Sequence, residues 1–274
     1  MLMKIKDIAT LIESVAPLQL QESYDNAGLQ VGDPEQEVTG VLTTLDVTEE
    51  SVQRAIQSGA NLIVSHHPLL FHGVKQINPR RDYISRVLIE AIRQDIAVYS
   101  AHTNLDNAPQ GVNRRMADVL GLQDVRPLAP LTKSQTSGLS ADFANECGSG
   151  MIGRLPKPLH VRDFIQLVKE RFSIPAVMAN SEDVDPSRMV HAVALCGGAG
   201  DDFIPDAVRA GADAFLTGEV SYHLYFGHPE LLILCGGHFE TEQYTCQLLK
   251  ELIQAKYPDL AVTIAPKSSP VMCF

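Results

Sequence analysis

The chain has 274 residues, enough for one large core or two ordinary ones, and the usual size of a domain favours two. Hydrophobic residues make up 45% and charged residues 20%, with no apolar run long enough to span a bilayer, so composition excludes a membrane protein. A formal charge of -11 repels nucleic-acid phosphate over most of the surface and argues against non-specific DNA or RNA binding, but not against a small phosphorylated substrate at a metal, which supplies its own positive charge.

The N-terminus, Met1-Leu2-Met3-Lys4, leads into Ile5, Ile8, Ala9, Ile12 and Val15. That is a helical stripe interrupted by Lys6, Asp7 and Glu13, which predicts an amphipathic helix rather than a signal peptide, and so a cytoplasmic protein. The five cysteines (Cys147, Cys196, Cys235, Cys246, Cys273) are odd in number and far apart, without a C-x-x-C pair. They support neither a disulfide framework nor a thiolate zinc site. Tyr24 to Pro34 is rich in turn formers around a short apolar segment and reads as loop, brief strand, loop. Val38 to Leu45 reads as a strand, followed by a helix from Thr48, its expected N-cap, to Ser58.

Asn61-Leu62-Ile63-Val64 is aliphatic and β-branched, so it predicts an inner strand of a covered sheet, and it ends at Ser65-His66-His67-Pro68. Two adjacent histidines then stand at a strand's C-terminal end, the edge of an α/β sheet where ligands gather. A helix at about Arg80 to Gln94, a strand Ile96 to Ser100, a polar loop from Ala101 to Gln110 and a helix up to Leu120 continue the alternation of a parallel, doubly wound sheet.

After Gly121 the prolines, glycines and polar run of 127–153 break that rhythm and suggest a domain boundary followed by antiparallel strands. Helix His160 to Phe172 and two more strands lead to Met189–Cys196. Ala207 to Thr217 then repeats the pattern of Ala55 to Ser65 almost position for position. Either this is an internal duplication of a strand–helix–strand unit, or it reflects the common look of any helix, glycine turn and buried strand. Under duplication, Gly218 and Glu219 take the places of His66 and His67, and two half-sites would face each other. The last segment has a strand Leu231 to Cys235, Gly237-His238-Phe239-Glu240-Thr241-Glu242, a helix to Lys256 and a strand Leu260 to Ile264, and is expected to complete the first sheet.

His238 and Glu242 are four apart at the opening of a helix, so both leave one face a turn apart. Taken alone, they could be a helix cap and a solvated acid, just as Asp106 could be a turn former. Position gives them weight. His66, His67, Asp106 and His238 each lie just past a strand's C-terminal end, with Glu242 a turn further on. Imidazoles with carboxylates suit zinc, iron, manganese or nickel better than magnesium or calcium, and five ligands overfill one catalytic zinc.

Five stretches now carry a resemblance: Asp25-Asn26-Ala27-Gly28-Leu29-Gln30-Val31-Gly32, Ser65-His66-His67-Pro68, His102-Thr103-Asn104-Leu105-Asp106, Thr217-Gly218-Glu219 and Gly237-His238-Phe239-Glu240-Thr241-Glu242. In these the chain resembles the GTP cyclohydrolase 1 type 2 homologue family, also described as Ngg-interacting-factor-like dinuclear metal proteins. The resemblance implies two α/β domains and two divalent transition metals per chain on His66, His67, Asp106, His238 and Glu242. It also implies a ring-shaped homohexamer, in which the apolar end Val271-Met272-Cys273-Phe274 could be buried at a contact. Longer members carry an inserted domain for which this chain has no length.

The expected architecture is therefore α/β. Residues 1–126 with 229–274 form a first domain carrying most metal ligands, 127–228 form a second, and the metal site lies at strand C-terminal ends in the cleft between them. His102 and Glu219 are candidates to orient the ligands or to move protons. Asp25 and Asn26 border the pocket, and Gly197-Gly198-Ala199-Gly200 reads as a turn. Two functions fit: a metal-dependent hydrolase of a nucleotide or phosphorylated small molecule, or a non-catalytic metal-binding assembly for metal delivery or regulation.

Overall fold

The computed structural model describes residues 3–180, 187–267 and 269–271. In chain order the elements begin with α1 (Ile5–Val15), β1 (Gly28–Val31), β2 (Val41–Thr44), α2 (Glu49–Ser58), β3 (Leu62–Ser65), α3 (Tyr83–Arg93), β4 (Ala97–Ser100), α4 (Thr103–Asp106) and α5 (Val112–Leu120). Next come β5 (Gln123–Pro130), α6 (Ala141–Asn145), β6 (Gly148–His160), α7 (Val161–Phe172), β7 (Met178–Ala179), β8 (Met189–Cys196), α8 (Ile204–Arg209) and β9 (Ala214–Thr217). The chain closes with β10 (Leu232–Cys235), α9 (His238–Glu242), α10 (Thr245–Lys256) and β11 (Val262–Ile264). Met272, Cys273 and Phe274, expected to be part of an apolar tail, lie outside the described residues, while Val271 is exposed.

Two compact units result. The first comprises Met1–Leu105 and Thr245–Lys267, and the second is built on Asp106–Tyr244. The first unit holds a five-stranded sheet in the order β1-β4-β3-β2-β11, parallel except for β1, which pairs antiparallel with β4. Every residue of β2, β3 and β4 is buried, as a sheet covered on both faces requires. Helix α1 buries Ile5, Ile8 and Ile12, as its stripe predicted. Thr48 caps α2, its hydroxyl accepting from Ser51 N at 3.2 Å. Gly59 ends that helix at φ 72°, a left-handed conformation that costs glycine nothing.

The second unit holds a six-stranded mixed sheet, β5-β6-β8-β9-β10-β7. The antiparallel strands expected after Gly121 are β5 and β6, with β6 also antiparallel to β8. Met116 and Leu120 of α5 and Phe164 and Phe172 of α7 pack with Leu195, Leu216 and Leu234 in one core, while Ile204 and Ala207 of α8 pack with Phe215 and Ile233 in another. Of the two strands expected between Phe172 and Met189, the described residues contain one, β7.

One expectation is overturned. The strand at Leu232–Cys235 does not complete the first sheet; it pairs parallel with Ala214–Thr217 and antiparallel with Met178–Ala179 in the second. A short buried run fits the interior of either sheet equally well, so hydropathy could not assign it.

The repetition extends beyond strand–helix–strand. β2–α2–β3 and β8–α8–β9 are both parallel pairs around one helix. Gly59 and Gly211 end their helices at φ 72° and 71°, and the next residues close matching bonds, Ala60 N to Ala55 O and Ala212 N to Ala207 O, both 3.0 Å. A third parallel strand follows in each case, β4 on β3 and β10 on β9, and then a short helix, α4 or α9. The longer helix that comes next changes unit: α5 packs on the second sheet, whereas α10 belongs with the first.

Candidate metal centre

In the first unit, β3 stops at Ser65, but its backbone stays tied to β2's end, with His66 N donating to Thr44 O at 3.1 Å and His67 N to Leu45 O at 2.9 Å. Both histidines are thus held by main chain. His66 is fully buried, and its ring Nδ1 lies 2.8 Å from the Ala101 carbonyl oxygen. His67 Nδ1 lies 2.8 Å from Asp46 Oδ1 and His102 Nδ1 2.7 Å from Asp25 Oδ1. A carbonyl or carboxylate can only accept, so each Nδ1 carries the proton and each Nε2 is left as the ring's donor atom toward a metal. The three rings are mutually close, with centroids 4.9, 5.2 and 5.6 Å apart. One nitrogen from each could ligate a shared ion, since these atoms lie within 4.8 Å of one another.

Asp25 is the anchor of His102. Its side chain is wholly buried and accepts from Thr103 N at 3.0 Å as well as from the Thr103 hydroxyl. Burial pushes the carboxyl up, but hydrogen bonds from His102, Thr103 and the Asn26 N–H hold it down at about 2, so it is ionised at neutral pH.

In the second unit, α9 places His238 and Glu242 one turn apart, with His238 Nε2 3.1 Å from Glu242 Oε2. His238 Nδ1 meets Glu219 Oε1 at 2.6 Å, repeating the arrangement of the three rings in the first unit. Glu219 therefore orients His238, and it does so from the position that His67 holds in the repeat. Gly218, at the place of His66, must be small: a Cβ there would stand 2.8 Å from the Cα of His238 and 2.7 Å from Gly198 O.

The glycine turn after β8 clears space for the acid. At Gly198, φ is 61°, and a Cβ would lie 2.3 Å from Glu242 Oε1 and 3.1 Å from His238 Nε2. Glu242 is only 4% exposed, so its carboxylate has nowhere to retreat. Asp106 is tied to the same turn through Asn113, whose amide donates to Asp106 O at 3.2 Å and accepts from Gly197 N at 2.9 Å. The Cys196 thiol is pushed well above 9.0 by burial and then by the charges of Asp106 and Glu242, which brings both carboxylates within electrostatic reach of one sulfur.

Two orienting residues escaped the sequence reading in this role: Asp46 falls between an expected strand and the Thr48 cap, and Asp25 is expected only at the border of the pocket, among turn formers. The available signal was position, since Asp46 follows the end of β2 on the same sheet edge as the histidines. His72, His223 and His228 fall in neither set of donors.

Two α/β units, with histidines and carboxylates fixed at the C-terminal ends of parallel strands, define a protein equipped to hold metal ions. The family follows from comparison: the profile of Duf34/NIF3 (NGG1p interacting factor 3) matches residues 3–270, and the chain belongs to that family. It is 34% identical over 244 residues to a GTP cyclohydrolase 1 type 2 homolog of Clostridium acetobutylicum, covering 88% of this chain and 86% of the relative. A homolog from Clostridium perfringens is 36% identical over 245 residues, 88% and 87% of the two chains. Among solved structures, a Bacillus cereus protein related to NIF3 superposes with a TM-score of 0.88 at 25% identity, covering 100% of both chains. A Staphylococcus aureus hypothetical protein does so with 0.88 at 28% identity and the same coverage.

Proposed function

We propose that the two donor sets hold a pair of divalent transition metals, zinc, iron, manganese or nickel, and that the protein is a metal-dependent hydrolase of a nucleotide or another phosphorylated small molecule. The ligands are His66, His67, Asp106, His238 and Glu242, with His102 completing the first unit's set. One observation carries the reading: His66, His67, His102 and His238 each direct Nδ1 to a fixed acceptor, the arrangement that metal-binding histidines use and that commits Nε2 to the ion. When bound, two metals lower the pKa of water and clamp a substrate oxygen. Around them Asp25 and Asp46 hold the ring orientations. Glu219 gives Oε1 to His238 while its side chain stays 59% exposed, so its other oxygen is the proposed proton carrier.

The name borne by the relatives makes GTP the first substrate to try. Elemental analysis of protein purified without chelator is expected to give about two transition metals per chain, and turnover in a screen of nucleotides and phosphate esters should vanish on chelation and return with metal. A reproducible content near one or zero would sink the dinuclear reading. Metal without turnover of any of these would favour the delivery or regulatory role.

The proposed setting is the cytoplasm. Cys147, Cys196, Cys235 and Cys246 are free, as a reducing compartment keeps them, and no helix among the described residues is long and apolar enough to cross a membrane. The proposed assembly is a closed homohexamer, which light scattering at micromolar concentration should register as six chains; a monomer would refute it.

A further inference from the structure

Immediately after the paired histidines the chain enters a long loop, residues 68–82, without helix or strand before α3. Loops of this length inside a compact unit usually carry function. Its entrance is built rather than loose: Leu70 N donates to Gln30 Oε1 at 2.9 Å, Leu70 O accepts from Asn26 Nδ2 at 2.6 Å, and Gln30 Nε2 donates to Asn26 O at 2.7 Å. Both backbone groups of Leu70 are thus fixed by side chains from the segment that also supplies Asp25.

What this fixes is the ring of Phe71. Its centroid lies 5.9 Å from that of His102, within the three-histidine set, and Tyr24 stands on it at 6.3 Å. Phe71 stays only partly buried and Tyr24 is 64% exposed, although both are large apolar rings with a core available nearby. Among the described residues, none of the rings beside Phe71 lies parallel to it: the interplanar angles to His102, Tyr24 and His72 are 83°, 63° and 59°. These are edge-on or tilted contacts, and an aromatic ring also takes an offset-stacked planar partner. The loop beyond it carries Lys75, Arg80 and Arg81 against a single acid, Asp82, whose carboxylate accepts from Ser85 N at the start of α3, in a chain whose formal charge is -11. Such a run suits an anionic tail on the same ligand.

We infer that Phe71, backed by Tyr24, is the stacking wall for a planar heteroaromatic ring at the metal centre, so that the substrate is a phosphorylated nucleobase-like compound rather than a simple phosphate ester. The inference rests on the metal centre proposed above and narrows its substrate. Calorimetric titration with GTP, guanosine and inorganic tripolyphosphate tests it on wild type, Phe71→Leu and Phe71→Tyr, each in metal-replete and chelator-stripped form. Phe71→Leu should weaken GTP and guanosine about tenfold or more, keep tripolyphosphate within about twofold and keep its metal content, while Phe71→Tyr restores both ring ligands.

Unchanged affinity for GTP and guanosine in Phe71→Leu would overturn the inference, as would a proportional loss of tripolyphosphate or a wild type that binds no guanosine. The two readings fail separately. Ring binding that depends on Phe71 in a protein without metal or turnover would sink the hydrolase and keep the stacking wall.

Discussion

Gly198→Ala is expected to remove most of the metal bound by the second unit's donors. Two penalties coincide there. The backbone is left-handed at φ 61°, which costs a side-chain-bearing residue about 1–2 kcal/mol, and the new Cβ would fall 2.3 Å from Glu242 Oε1. A buried carboxylate 3.1 Å from His238 cannot yield without giving up that geometry. Gly211→Ala separates the two penalties, because Gly211 has φ 71° and nothing within 4 Å of an added Cβ. It should lose about 1 kcal/mol of stability and keep its metal. Elemental analysis and thermal melts on both variants read the outcome, and full metal content in Gly198→Ala would show that the turn does not guard the site.

The second large effect should come from Glu242→Gln. The amide preserves shape and removes the negative charge, so metal affinity measured by chelator competition should fall by about a hundredfold, roughly what one charged ligand contributes beyond a tenfold to hundredfold supporting contact. Glu240→Gln supplies the contrast. Glu240 lies off the face shared by His238 and Glu242 and is only partly buried, whereas Glu242 is 4% exposed, so its variant should stay within about threefold of wild type. Equal losses would remove the argument from helical spacing.

Local order was legible because it is written in short-range chemistry. The apolar stripe Ile5, Ile8, Ile12, the Thr48 cap, the Gly59 stop and the buried run that ends at His66 each follow from neighbours a few residues apart, and each stands in the structure where the residues predict it. The same reading singled out His66, His67, Asp106, His238 and Glu242 as candidate ligands, because strand ends and the i, i+4 spacing of a helix are local facts. Membership of a sheet is not local. Leu232–Cys235 is four buried residues between loops, and only pairing with Ala214–Thr217 on one side and Met178–Ala179 on the other decides where it belongs.

The sequence by itself determined the α/β alternation, the matching patterns of Ala55–Ser65 and Ala207–Thr217 and the candidate donors at strand ends. Tertiary structure alone decided that α5, expected in the first domain, packs with the second sheet, a choice made by which apolar faces meet rather than by the helix's own pattern. It alone made Asp25 and Asp46 the acceptors that orient His102 and His67, because a hydrogen bond between residues 77 or 21 positions apart depends on where the fold carries the chain. And it alone gave Gly198 its purpose, since the space that glycine leaves empty is defined by a carboxylate more than forty residues away in sequence, with the Thr241 next to that carboxylate already 43 residues from Gly198.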